Sequence, residues 1–309
     1  MPGDLIGDPL WAVLIPPRLE RFRSLAGLGE ADLAVDLTGW NKYVLLAGER
    51  VFLFPREAEN VAWFDHEAAV YQALAAGGFA LAPQVRGRWR DDSVYPFPFA
   101  EVTRLHGTPL FRTQPGATAA LFGPFGAVVA RIHQVPPLDL PQPPLIERHH
   151  RPAWRWLHRA LSPDTFAEAA AEAAERLDRP SAEARWRARL GAAASLRPVL
   201  VHGDLHEDQL LAEGGRITGI LDWETARVDH PFWDFDLGEW GTGLWRRHRG
   251  EFSALWAMAW REYAAVRGLD PDPAPLETAF RLRQALALLD QPGDPAVTGT
   301  VAEHLAAIS

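Results

Sequence analysis

The sequence predicts an α+β chain of two lobes, a small antiparallel-sheet lobe over residues 1–106 and a larger helical lobe over residues 107–309. Three observations carry this. Residues 32–106 hold strand segments interrupted by one amphipathic helix, the order of a small α+β unit. From residue 107 onward apolar residues recur at spacings of three and four, the period of helices packed on a core. Two short apolar strands then interrupt the helical stretch and flank a dense run of polar residues.

The elements follow in order. Residues 32–38 alternate as a strand does, and residues 39–42 break the pattern as a turn. Residues 43–47 and 50–54 read as hairpin arms around Gly48 and Glu49. A helix is expected over 58–76, with Val61, Phe64, Ala68, Tyr71 and Leu74 on one stripe and Gly77-Gly78 as its stop. Strands at 83–89 and 97–105, separated by the polar turn 90–93, close the first lobe. The second lobe opens with a helix over 117–133, striped by Leu121, Phe125, Val128, Val129 and Ile132. A loop with five prolines spans 135–144, and helices are expected at 152–161, 163–178 and 181–195, the second capped by Ser162 before Pro163. Strands at 198–201 and 217–221 and helices at 251–266 and 275–290 complete the chain.

Composition narrows the function classes. Hydrophobic residues are 48% and charged residues 23%, the mix of a folded globular chain. A net charge of −9 argues against nucleic acid and against an anionic membrane surface as partners. No apolar run is long enough to span a bilayer, and no basic-then-apolar leader opens the sequence, so a cytoplasmic setting is expected; a monomer or weak dimer is the expected assembly. The absence of cysteine removes thiolate nucleophiles, disulfides and Cys-based zinc sites. Of the 31 Lys and Arg residues only Lys42 is lysine, so chemistry that demands a lysine has one candidate.

The polar residues cluster at 199–211 and 217–226. One apolar strand delivers His202, Gly203 and Asp204 into a loop, and a second delivers Asp222 at its end. Carboxylates emerging from apolar surroundings are costly unless they bind something. Two chemistries fit. His202, Asp204 and His206 alternate, so in an extended strand they share a face and can chelate a metal, with Asp222 or His230 as a further ligand of a hydrolase. In the second, Asp204 is a base for a hydroxyl nucleophile, and Gln209 and Asp222 hold Mg²⁺ for phosphoryl transfer. That order, Asp then an amide then a metal-binding Asp, is the one a kinase catalytic loop uses. Gly203 and the acidic pair Glu207-Asp208 favour a loop over a continuous strand.

Residues 202–211 (His-Gly-Asp-Leu-His-Glu-Asp-Gln-Leu-Leu), 219–224 (Gly-Ile-Leu-Asp-Trp-Glu) and 229–234 (Asp-His-Pro-Phe-Trp-Asp) resemble the motifs of the aminoglycoside phosphotransferase family. The resemblance implies a two-lobed protein-kinase-like fold, ATP or GTP with Mg²⁺, and transfer of the γ-phosphate to a hydroxyl of a small molecule. An aminoglycoside or similar cationic antibiotic is the acceptor it suggests. By the same resemblance Asp204 is the catalytic base and His202 braces its loop. Asp222 and Gln209 are metal ligands, and Asp234 is a buried Asp that hydrogen-bonds the loop backbone. Glu67 stands where the family has its helix glutamate, and backbone groups of Glu101, Val102 and Thr103 would meet the nucleotide base. Asp236 and Glu239 would meet the acceptor, with Trp154, Trp156, His158 and Trp186 as further candidates for its lining.

Two departures accompany the resemblance. Gln209 stands where relatives usually have Asn, offering the same amide oxygen one methylene further out. Leu53 stands where the third strand of relatives carries its phosphate-binding cation. The charge must then come from Arg56 or from Lys42 on its turn. Arg56 is placed first, because Pro55 permits a bend that would redirect it. These departures leave a weakly active or inactive nucleotide-binding protein as one alternative, and the thirteen tryptophans, which suit a flatter apolar acceptor, leave a macrolide or metabolite kinase as another.

Overall fold

Residues 33–55 fold as a three-stranded antiparallel meander, β1 (Leu33–Asp36), β2 (Lys42–Ala47) and β3 (Arg50–Pro55). In a computed structural model of the chain, the residues described are 13, 16–30, 32–37, 39, 41–136, 163–235, 248, 250–290 and 299–309. These divide into two units: the first runs to Leu105 and takes in Leu221–Thr225, and the second holds the remainder. Leu221–Thr225, expected within the helical lobe, therefore belongs to the sheet-bearing unit.

The first unit opens with helix α1 (Arg18–Ala26) and continues through the meander to helix α2 (Val61–Ala76), which a 3-10 turn at Ala58–Asn60 precedes. Strands β4 (Val85–Trp89) and β5 (Phe99–Thr103) complete a five-stranded sheet in the order β1-β2-β3-β5-β4. The β2–β3 turn forms where expected, with Gly48 in the left-handed region at φ 60°. Register then sorts side chains between the two faces, because directly paired residues share a face. Tyr43, Leu45, Phe52 and Phe54 face an aromatic core with Phe22 and Phe99. Its rings pack at 5.0 Å for Phe22–Phe52 and for Phe54–Phe99. The opposite face, where Val44 pairs with Leu53, lies under α2: Leu53, Val85 and Val102 line an apolar recess with Phe64, Glu67 and Tyr71. β3 is thus covered on both sides, which is why 51–54 reads as a continuous apolar run and not as an alternation.

Two boundaries differ from the sequence reading in ways that matter. Lys42 is not on the turn: it opens β2, paired with Pro55. β5 ends at Thr103 and not at 105.

In the second unit the single helix expected over 117–133 is two, α3 (Pro115–Ala119) and α4 (Phe122–Ile132). They are followed by α5 (Pro163–Arg176), α6 (Glu183–Ala194), α7 (Phe232–Phe235), α8 (Phe252–Arg267), α9 (Ala274–Asp290) and α10 (Val301–Ala307). α4 and α8 approach so closely at Gly126 that a Cβ there would lie 1.8 Å from the Ala259 carbonyl oxygen. Two small sheets sit among the helices. β6 (Thr108–Pro109), β8 (Leu210–Glu213) and β9 (Arg216–Ile220) form one, and β7 (Val199–Val201) with β10 (Arg227–Asp229) forms the other. The sequence reading missed β8, whose signal is Gly214-Gly215 between apolar stretches: both glycines are left-handed, at φ 56° and 73°, as a tight two-residue hairpin requires. The helix expected at 152–161 and most of the proline-rich loop lie outside the described residues. No described helix is long and apolar enough to cross a membrane.

Candidate active site

In the first unit the polar residues converge on the ammonium of Lys42. Its Nζ lies 2.7 Å from Glu67 Oε2, 2.5 Å from Asp222 Oδ1 and 3.3 Å from Glu224 Oε2. Lys42 reaches this point from the first position of β2, Glu67 from the buried face of α2, and Asp222 and Glu224 from the segment after β9. Glu67 is 1% exposed and is held from three sides. Tyr71 Oη donates to its Oε1 at 2.7 Å, and the Trp223 backbone N–H donates to the same oxygen at 3.2 Å. Asn41 Nδ2 donates to Glu224 Oε1 at 2.7 Å, tying the residue before β2 to the same segment.

The electrostatics follow from the count of charges. Burial alone would lower the Lys42 pKa, but the Asp222, Glu67 and Glu224 carboxylates outweigh it and hold the amine well above its ordinary value. Burial and the Glu67 charge push the Tyr71 phenol well up, so it stays a donor. Burial raises the Glu224 carboxyl to about 7, with Asp222 and Glu67 adding to the rise and Lys42 opposing it. One ammonium facing three carboxylates leaves negative charge over, the environment a hard divalent cation favours. Glu67, Asp222 and Glu224 have ligand oxygens within 4.8 Å of one another, so the residues present fit such a cation. Asp222 adopts φ 64°, a left-handed conformation that non-glycine residues rarely hold and that clusters at functional sites.

In the second unit β7 leads into the loop that carries His202, Gly203 and Asp204. Gly203 turns the chain at φ 84°. Asp234 is buried and its two oxygens accept from the His202 N–H at 3.0 Å and the Gly203 N–H at 2.9 Å. His133 Nε2 donates to the same carboxylate at 3.0 Å, while Tyr263 Oη donates to His133 Nδ1 at 2.8 Å. Burial would raise the Asp234 pKa, but these bonds to His133 and Gly203 and the nearby His202 hold it below its usual value. His202 is fully buried and its Nδ1 accepts from the Asp204 N–H at 3.4 Å, so the ring braces the turn from within. The Asp204 carboxylate is 42% exposed, with His206 Nε2 at 3.8 Å from Oδ2. Gln209 meets His206 Nε2 through its side-chain amide at 3.1 Å. Asp204 and Gln209 thus belong to one unit, and Lys42, Glu67 and Asp222 are gathered in the other.

Three expectations need correction. His202, Asp204 and His206 do not form a chelating face, because the chain turns at Gly203 and the His202 ring is engaged by the Asp204 backbone. Among the described residues the group of three His, Asp or Glu side chains that could hold a metal is Glu67, Asp222 and Glu224. Arg56 does not point toward that set: its guanidinium donates to the Leu37 carbonyl and stacks 4.4 Å over the Tyr43 ring. Glu101 and Val102 lie inside β5 and are paired on both sides, Glu101 with Phe52 and Gly87 and Val102 with Val51 and Val85, while Thr103 ends the strand opposite Arg50. The Thr103 N–H donates to the Gln84 carbonyl at 3.0 Å, so the ladder occupies groups expected to meet a nucleotide base. The Glu101 carboxylate is bound by Arg50 at 2.5 and 2.7 Å. Asp236, Glu239, Trp154, Trp156 and His158 lie outside the described residues, and Trp186 is buried in α6 at 2% exposure.

Sequence reasoning gave no role to Glu224, Asn41, Tyr71 or His133. Glu224 and Asn41 stood beside residues that were chosen, and Tyr71 was read only as part of the apolar stripe of α2. His133 follows α4 with no local sign of its partner, which lies 101 residues away.

Comparison with known proteins agrees with this architecture. The fold matches the aminoglycoside phosphotransferase APH(3'')-Id from Streptomyces rimosus with a TM-score of 0.54 and 19% identity, covering 91% of this chain and 97% of that one. The Streptomyces protein is also known in complex with ADP and streptomycin. The macrolide 2'-phosphotransferase MphH from Brachybacterium faecium matches at 0.52 and 21% identity, over 95% of this chain and 98% of that one. A GDP complex of aminoglycoside 2'-phosphotransferase-IIIa matches at 0.53 and 17% identity, over 94% and 97%. A 39-residue stretch is 51% identical to the uncharacterized protein YcbJ of Bacillus subtilis, spanning 12% of this chain and 13% of that protein. The match that decides membership is of another kind, a sequence model extending over residues 37–277 and so across both units, and by it the chain, with its protein-kinase-like fold, belongs to the phosphotransferase enzyme family.

Proposed function

We propose that this protein transfers the γ-phosphate of ATP or GTP to a hydroxyl of a small molecule in the presence of Mg²⁺. The observation that carries the reading is the first unit's cluster, in which Asp222 is held at φ 64° beside a buried helix glutamate and a lysine. Asp222, with the Gln209 amide oxygen as second ligand, would hold Mg²⁺, which when bound neutralises charge on the nucleotide phosphates. Asp204 is the base. The acceptor hydroxyl oxygen attacks the γ-phosphorus, the bond from that phosphorus to the β–γ bridging oxygen breaks, the proton passes to Asp204, and the nucleoside diphosphate leaves. The buried Asp234 and the His202 ring position the loop from which Asp204 acts. Backbone groups at the end of β5 and in residues 104–105, which follow that strand, would meet the nucleotide base.

The acceptor is a small hydroxylated compound, and the relatives' streptomycin and macrolides set the first compounds to try. Thermal shift tests the nucleotide half. Mg²⁺ with ATP or GTP at about a hundred times Kd should add roughly 2.7 kcal/mol of stability, read as a rise in Tm. Release of ADP or GDP across a panel of aminoglycosides, macrolides and hydroxylated metabolites tests the transfer half. Stabilisation by Zn²⁺ alone, with none from either Mg²⁺-nucleotide, would overturn the proposal.

A further inference from the structure

We infer that the cation for the nucleotide phosphates has moved from β3 to the neighbouring strand, and that Lys42 at the head of β2 supplies it. The inference rests on the phosphotransferase reading and deepens it. The apolar side chain on β3 is the first observation. Leu53 is 6% exposed and lines the recess under α2 together with Glu67, so the strand position that looks at the helix glutamate holds no charge. The second is that the glutamate nevertheless has a cation, and that it comes from β2.

Register explains how this is possible. Lys42 pairs with Pro55 and Val44 pairs with Leu53, so Lys42 and Leu53 are diagonal neighbours on the face that looks at α2. Such diagonal pairs stand about 7–8 Å apart at their α-carbons, within the span of a lysine side chain. A lysine starting from either position can therefore bring its ammonium to Glu67. From β2 it does so at 2.7 Å while also meeting Asp222 at 2.5 Å. The arginines of this hairpin are engaged elsewhere: Arg56, next to Pro55, on the Leu37 carbonyl and the Tyr43 ring, and Arg50, at the turn end, on Glu101. Lys42 is also the sole lysine of the chain, in a composition that otherwise uses arginine for every basic residue. A guanidinium is planar and wide, whereas an ammonium is a compact point charge, which suits a position shared by three carboxylates.

The test moves the charge back. Lys42→Leu, Leu53→Lys and the double variant are compared with wild type for Mg²⁺-ATP and Mg²⁺-GTP affinity by thermal shift and titration, and for nucleotide turnover. Lys42→Leu should weaken binding of the preferred Mg²⁺-nucleotide at least tenfold, and adding Leu53→Lys should recover a substantial part of that loss. A Lys42→Leu variant that binds as wild type does, or a folded double variant that binds no better than Lys42→Leu, would overturn the relocation. If wild type itself binds neither Mg²⁺-nucleotide, the phosphotransferase reading fails, and this inference with it. Because Lys42→Leu leaves three carboxylates facing one another, a probe of the unaltered protein stands beside the variants. An acyl-phosphate derivative of ATP or GTP carries its acyl carbon at the phosphate end. Once the Lys42 ammonium has given a proton to a facing carboxylate, the amine attacks that carbon, the acyl–oxygen bond to phosphate breaks, the nitrogen loses its second proton to solvent as the amide forms, and the nucleotide leaves. Acylation of Lys42, suppressed by excess Mg²⁺-nucleotide, is the expected result; a wild-type protein that binds the nucleotide yet leaves Lys42 unlabelled speaks against the proposal.

Discussion

Asp204 and Asp222 are both carboxylates at the end of short strands, yet their backbones give them different tolerances. Asp204 is half exposed and its N–H is tied to His202, so Asn at this position keeps the turn. An amide cannot accept the hydroxyl proton, and Asp204→Asn should lower kcat on the order of 10²–10⁴-fold while nucleotide affinity is kept. Turnover at the wild-type rate would remove Asp204 as the base. Asp222 sits at φ 64°, where Ala would cost about 1–2 kcal/mol in backbone strain alone and Asn, like Asp, is tolerated. Asp222→Asn is therefore the informative variant. It should fold, and it should lose the Mg²⁺ dependence of nucleotide binding in a titration. These two residues were legible in the sequence because each follows an apolar strand and stands in a dense local motif. Glu224 and Tyr71 were not, because a glutamate two residues past Asp222 and a tyrosine on an apolar stripe are locally indistinguishable from a solvated charge and a core ring.

Among the elements, the α4–α8 crossing is the tightest described. Gly126 allows the two backbones to meet, and a methyl group there has no room beside the Ala259 carbonyl. Backbone cannot yield as a flexible side chain would, so Gly126→Ala should destabilise by about 1–3 kcal/mol, read as a lower denaturant midpoint with unchanged slope. An unchanged midpoint would mean that the helices can separate without loss. The sheet teaches a related lesson about register. β2 begins one residue earlier than the turn residues suggest, which turns Lys42 from a loop side chain into one of defined direction. β5 is flanked by β3 and β4, which engages the backbone of its interior residues in the ladder. Both facts depend on which strands become neighbours, and alternation within one strand does not report that.

For the whole molecule the buried histidines set a pH response. Burial holds His133 and His230 below the ordinary 6.5, despite the Asp234 and Ala193 oxygens that accept from them. Below pH 6.5 the unfolded chain takes up protons that the folded one refuses, so stability is full above that pH and declines as pH falls through this window. Asp234 is lowered from 3.8 and adds stability above that value that is lost only in stronger acid. The Glu224 carboxyl, raised to about 7, works the other way in this window, so the histidine contribution is read as a difference: between pH 7.5 and 5.5 the wild-type Tm should fall relative to that of His133→Gln, whose side chain does not titrate. A difference between the two proteins that stays constant across that range would show that the His133 ring is not held neutral.

The sequence by itself determined that strands around one helix precede a mostly helical stretch, and it determined the hairpin at Gly48 and the motif stretches that carry Asp204 and Asp222, because each is written in neighbouring residues. It also reduced the lysine chemistry to one side chain. Tertiary structure alone decided that Lys42 and not Arg56 meets Glu67, that Leu221–Thr225 belongs to the first unit, and that His133 and Tyr263 stand behind Asp234. The physical reason is separation along the chain. Lys42 and Asp222 are 180 residues apart, and their 2.5 Å contact exists only once strand register has chosen a face for Lys42 and the backbone of Asp222 has taken its left-handed turn.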